Sequence, residues 1–283
     1  VPDAAVILGA WRLDPLALGA AVIAAALYAR ALRGNPWPHA RTALFSLGLA
    51  AFILVQCGFL GVYSAELRWA FSTRIALLLF VVPGLLAAGR PIALAGAALR
   101  PPGRARLERM LGSTPVRITG NAIFATLFAA GVFLLLLTPL AAVLRSSALA
   151  QNAITVVVPL LGLALVLPMA EDSRRRSSLF LTAEFLLAFV ELVLDAIPGI
   201  LLRINDTLFD TAASVGPAWF PAPLVDQHLS GDLLWFIAEI ADIPVLVLLF
   251  IRWRRSDARD ARAIDELSDA ELEALNAEHL RRH

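Results

Sequence analysis

Residues 184–203 read EFLLAFVELVLDAIPGILLR. A helix of this length rises ~30 Å, the thickness of a bilayer's hydrocarbon core. Its residues are apolar enough to cross, yet Glu184, Glu191 and Asp195 lie within it and Arg203 closes it. A carboxylate in hydrocarbon costs about 3 kcal/mol even on lenient insertion scales. Seven and eleven residues each bring a helix back to within ~20° of its starting direction. The three acids therefore share one face, spread over ~16 Å of depth, with Pro198 and Gly199 beyond them, where the helix is expected to kink or loosen.

The surrounding chain has the composition of a membrane protein. Of its 283 residues 59% are apolar and 17% charged, too little polar surface to cover a soluble domain of this size. All 24 basic residues are Arg, which removes P-loop, Schiff-base and Ser-Lys chemistry. The single Cys57 excludes an internal disulfide, a Cys-x-x-Cys site and an iron–sulfur cluster, and its mid-span setting in LVQCGFL suits a buried, inert thiol. No basic n-region opens the chain, so no secretory signal peptide is read. No Gly-x-Ser-x-Gly or His-Glu-x-x-His motif occurs, and a non-enzymatic protein is expected.

Apolar windows predict an all-α, polytopic fold of seven transmembrane helices, roughly 14–32, 43–63, 73–89, 119–139, 152–170, 178–202 and 231–251. RPIALAGAALRPP after the third reads as an interfacial piece, and AAVLRSSALAQN as a joint with a short surface helix. Loops 30–42, 90–118 and 171–177 and the tail from 252 hold 19 of the 24 Arg. The N-terminus and loops 64–74, 140–151 and 203–230 hold the other five. That asymmetry puts the N-terminus outside and the C-terminus in the cytoplasm. Two units follow: a seven-helix domain over 1–251 and a charged cytoplasmic tail over 252–283. In the tail, Ser268 and Glu271 form a capping box for a short helix, read as a solvated one.

The last span repeats the acidic theme. GDLLWFIAEIADIPVLVLLF contains Asp232, Glu239 and Asp242, the latter two on one face, and Glu191 and Glu239 fall at similar depth. The sixth and seventh helices are expected to face each other with acids inward. Four readings stay open. The acids are structural, protonated and hydrogen-bonded to neighbouring helices; they form a cation or proton path; they do general acid–base work; or they bind a metal. For the last, the candidate ligands are Asp226, His228, Glu191, Asp195, Glu239 and Asp242. Haem is not expected, because His39 and His228 fall on opposite sides and His279 and His283 in the tail. No nucleic acid is expected, since topology accounts for the Arg clusters.

Several segments carry a family resemblance. WRLDPLALGAAVIAAALYARALR near the start, FVVPGLLAAGRPIAL, ELVLDAIPGI, and LVDQHLSGDLLWFIAEIADIPVLVLLFIRWRRSDARDARAIDE at the end resemble the CtaG-like (caa3-type) cytochrome c oxidase assembly proteins. The resemblance covers nearly the whole chain, and its last segment is the most specific. It implies a multi-pass protein of the bacterial cytoplasmic (inner) membrane, assembling a haem–copper oxidase of the respiratory chain and handling or delivering copper. The family's third helix opens with a His-Met-x-x-His-like signature, whose imidazole positions fall on Phe71 and Ile75 here. The soft or borderline ligands that copper favours are thus missing where the family has them. Two other roles remain: a metal-free accessory (supernumerary) subunit or scaffold of a respiratory complex, and a copper or cation permease. The expected partners are oxidase or other respiratory-complex subunits and membrane lipid.

Overall fold

The computed structural model describes residues 4–119, 121–171, 178–209, 217, 219–220 and 222–265, and every regular element among them is helical. The first helices are α1 (Ala4–Gly9), α2 (Pro15–Leu32), α3 (His39–Cys57), α4 (Phe59–Tyr63) and α5 (Arg68–Ala76). A π-helical turn, Leu77–Val81, joins α5 to α6 (Val82–Ala88). There follow α7 (Pro91–Ala98), α8 (Pro101–Leu111), α9 (Thr114–Thr119), α10 (Ala122–Leu135) and α11 (Leu140–Ser146). Three long helices close the chain: α12 (Ala148–Glu171), α13 (Ser178–Ile204) and α14 (Pro223–Asp265).

The breaks have local causes. Asp14 caps α2, its Oδ1 accepting from Leu16 N at 2.9 Å and Ala17 N at 3.1 Å, with Pro15 at the first helical position. At Gly58 the backbone leaves α3 in an extended conformation, and the Cys57 carbonyl there accepts from Arg12 N at 2.7 Å. The π turn precedes Pro83, which has no N–H to offer the carbonyl of Leu79. Widening the turn lets Val82 N bond Leu77 O instead, five residues back. Pro139 stops α10, and α11 departs at 78°.

Five segments are long and apolar enough to cross a membrane: Pro15–Leu32, His39–Tyr63, Arg68–Ala88, Ala148–Leu167 and Phe185–Ile204. The bent pair α10–α11 makes a sixth. The seventh expected window, 231–251, lies inside α14, where Asp232, Glu239 and Asp242 interrupt the apolar run. At 43 residues α14 is ~65 Å long, twice a hydrocarbon core, so helix runs straight through the expected boundary at 251. The capping box at Ser268 lies outside the described residues. Two segments expected as outer loops are helical instead. Residues 68–74 belong to α5, and 223–230 form the first turns of α14. Pro198 sits within a continuous α13, and the joint at 140–146 is the expected short helix.

The rod α5–π–α6 is the centre of the bundle. All nine residues of α5 are buried, and α3, α12 and α14 pack around the rod. Phe71, Ile75, Leu78 and Val82 join Phe52, Phe133, Leu202 and Leu234 in one core. At the edge, α13 and α14 cross with backbones in contact. A Cβ on Gly199 would lie 2.8 Å from Gly231 O, and one on Gly231 2.9 Å from Arg203 N. The sixth and seventh expected helices do pair, and this crossing is how. The acids expected inward are not so placed where they are described: Asp232 is about half exposed, and Glu239 bonds Trp235 on an exposed face.

Candidate functional site: a buried arginine network at one end of the bundle

Asp226 sits in the first turn of α14 and serves another helix. Its Oδ2 accepts from Arg68 N and its Oδ1 from Trp69 N, both at 2.8 Å, so one carboxylate caps α5 from across the bundle. Two of the four amides that a helix leaves unpaired at its start are thereby satisfied, and negative charge meets the positive end of the dipole. One turn further in, Ser72 Oγ and Ser230 Oγ repeat the α5–α14 link at 2.6 Å. Burial pushes the Asp226 carboxyl above the usual carboxylate range. The two amides, then Arg145 and Arg68, pull it the other way.

Arg74 lies two turns below the Asp226 cap and is 1% exposed. Its guanidinium is surrounded by acceptors from two helices, α3 and α12, and the turn after α4. Nε donates to Gln56 Oε1 at 2.7 Å, Nη1 to Ser64 Oγ at 3.0 Å and to Gln151 Oε1, and Nη2 to Thr155 Oγ1 at 3.0 Å. Every one of these acceptors is neutral. Asp14 is reached one step further out, where Thr155 Oγ1 lies 3.3 Å from Asp14 Oδ2. A buried cation held by neutral dipoles gives this end of the bundle a fixed positive field. Arg68 and Arg145, each 5% exposed, add to it.

The residues following Asp226 do a different job. Gln227 Oε1 accepts from Phe209 N at 2.9 Å, while its Nε2 donates to Thr207 O at 3.0 Å and Asn205 O at 3.3 Å. His228 Nε2 lies 3.2 Å from Asn205 O and its Nδ1 3.3 Å from Arg203 Nη1. A neutral Nε2–H imidazole satisfies both contacts and leaves neither nitrogen open. Arg203 Nε also pairs with Asp232 at 3.1 Å, both side chains about half exposed. Further along α14, Glu239 accepts from Trp235 Nε1 at 2.8 Å on an exposed face.

The six expected metal ligands are therefore placed as follows. Asp226 faces α5, His228 faces the turn after α13, and Glu239 faces its own helix. The side chains of Glu191, Asp195 and Asp242 lie outside the described residues. Among the described residues no three His, Cys, Asp or Glu side chains come together around one point. Phe71 and Ile75, where the resemblance implies imidazoles, are 1% and 4% exposed in the apolar core. Cys57 is buried at 2%.

The Arg74 network was not singled out from sequence, though a signal was present. Gln56, Arg74, Gln151 and Thr155 are polar residues inside or at the edge of apolar windows. Moreover, the five arginines left over by the charge asymmetry are Arg12, Arg68, Arg74, Arg145 and Arg203. The structure buries three of them and pairs Arg203 with Asp232.

Comparison with known proteins gives the chain its family. The profile described as cytochrome c oxidase caa3 assembly factor matches residues 21–256. An uncharacterized protein of Mycobacterium bovis is 29% identical over 98% of this chain and 45% of its own length. One of Mycobacterium leprae is 25% identical over 94% of this chain and 44% of its own. The chain thus spans a little under half the length of the curated relatives it matches. No solved structure matches it. The chain belongs to the cytochrome c oxidase caa3 assembly factor family.

Proposed function

We propose that this protein assists assembly of a haem–copper oxidase by binding oxidase subunits in the membrane, as a non-catalytic, metal-free scaffold. The observation that carries this reading is what stands at the level of the family's imidazole positions. Phe71 and Ile75 are packed in the core, and between them Arg74 holds a buried positive charge. A copper ion there would meet apolar side chains and a guanidinium, neither of which ligates it. The same charge opposes a cation path along the bundle centre, which weighs against a permease. The topology that goes with this reading has seven spans, with α14 as the last, the N-terminus outside and the C-terminus in the cytoplasm, in a bacterial inner membrane. The Arg asymmetry supports that direction.

Copper delivery is the competing reading. It would draw on His228, the imidazole of the described residues at the Asp226 end of α14. One preparation separates the two. The chain is purified from its native membrane under conditions that keep Cu(I) reduced, alongside a His228→Ala variant. The scaffold reading expects oxidase subunits to co-purify with both proteins, and copper far below one per chain in both. About one copper per chain, lost in the variant, would establish delivery instead. Absence of any oxidase subunit from both preparations would sink the scaffold.

A further inference from the structure

Beside the Arg74 network a cavity of about 320 Å³ opens to the surface between the segment leading into α2, the turn after α4, and the α11–α12 joint. We infer that this cavity is a binding site for a phosphate-type oxyanion. Its polar lining includes Arg12, Arg145, Ser64, Ser146, Gln151 and Asn152. The Arg12 and Arg145 guanidinium groups and the Asn152 amide are donors of the kind phosphate recognition uses. Ser64, Ser146 and Gln151 already donate, respectively, to Gln151 Oε1, to Val143 O, and to the Leu144 and Arg145 carbonyls. Arg145 is 5% exposed, so a buried charge forms part of the wall. Behind the wall stands Arg74, which donates to two of the lining side chains, Ser64 and Gln151.

Two further features favour an anion over a cation. Ala148, Gln151 and Asn152 belong to the first turns of α12, a helix of 24 residues, so the positive end of its dipole borders the space. The one carboxylate in the lining, Asp14, is already engaged. Its Oδ1 accepts from two amides of α2, and its Oδ2 faces the Thr155 hydroxyl. The rest of the lining, Leu13, Pro15 and Ala65 among it, offers no charge. Two guanidinium groups, each with several N–H donors, beside a space of this volume suit a group with three or more acceptor oxygens better than a single carboxylate. The source is either free phosphate or the headgroup of an anionic phospholipid. The site does not depend on how the chain acts on an oxidase.

The full chain in mild detergent is given two probes. Inorganic phosphate is titrated while the thermal unfolding midpoint is followed. Phosphatidylglycerol, against phosphatidylcholine, is scored for retention by native mass spectrometry. Arg12→Gln removes a donor, and Asn152→Asp puts a carboxylate at an exposed position of the lining without touching the core. Saturable binding of phosphate, weakened at least tenfold in both variants, establishes the site with a soluble ligand. Selective retention of phosphatidylglycerol alone, lost to the same degree in both, establishes a headgroup site. Binding of neither probe, or binding that both variants leave unchanged, overturns the inference.

Discussion

The span Arg68–Ala88 and the span Phe185–Ile204 are close in hydropathy and opposite in surroundings. In the first, 72% of the apolar window is buried inside the bundle; in the second, 19%. Hydropathy measures exclusion from water, and a lipid tail excludes water as well as a protein core does. It cannot separate a central helix from a peripheral one. The polar residues differ in kind instead. The central rod carries Ser72 and Arg74, whose small and forked side chains find partners on neighbouring helices. The peripheral α13 carries Glu184, Glu191 and Asp195, and on its exposed side Leu186, Phe189 and Val193, as a lipid-facing helix should.

If that contrast is sound, the largest effect comes from Arg74→Leu. It strips the donors from Gln56, Ser64, Gln151 and Thr155 at once. Each buried group left unpaired costs about 1–3 kcal/mol, so the total exceeds ~3 kcal/mol. The expected result is loss of the monodisperse peak in detergent size-exclusion chromatography. Leu186→Ala on α13, at 60% exposure, is expected to change stability by less than ~0.5 kcal/mol. Comparable losses in the two variants would break the comparison.

Asp226→Ala comes next. It strands the Arg68 and Trp69 amides at the buried start of α5, a cost of about 2–4 kcal/mol. Asp226→Asn keeps one acceptor and should cost about half as much, near ~1–2 kcal/mol. Thermal midpoints rank the two, and hydrogen exchange at Arg68 and Trp69 locates the loss. Equal midpoints for both variants and the parent protein would show that α5 is not held by this cap.

The smallest of the three effects sharpens the picture at the bundle's edge. Gly231→Ala pushes a Cβ against Gly199 O and Arg203 N, an overpacking of about 1–3 kcal/mol. The same change at Gly84, where a Cβ meets nothing within 4 Å, is expected to be neutral or stabilising. A lower midpoint for Gly84→Ala than for Gly231→Ala would deny that the α13–α14 crossing is a close one.

The membrane class and most spans were legible because a 20-residue apolar run has few other uses. The first expected window, 14–32, coincides with α2, which the structure shows capped by Asp14. Two boundaries misled for one reason. Polar residues at 68–74 and 226–230 read as loop, yet they continue helices whose polar side chains meet each other inside the bundle. Asp226 and His228, two residues apart in sequence, read as candidate ligands of one metal, but helical rotation turns them to different neighbours. The missing imidazoles at Phe71 and Ile75 were visible only through the family resemblance. That an arginine network stands beside them was not.

The sequence by itself determined an all-helical membrane protein and its family, because apolar length, helix caps and motif residues are local properties. The tertiary structure decided which helix is central, what caps it, and where the charge goes. Those depend on contacts such as Arg68–Asp226, 158 residues apart, and Arg74–Thr155, 81 apart. No one-dimensional pattern encodes them, since a buried polar side chain is defined by the partner that satisfies it.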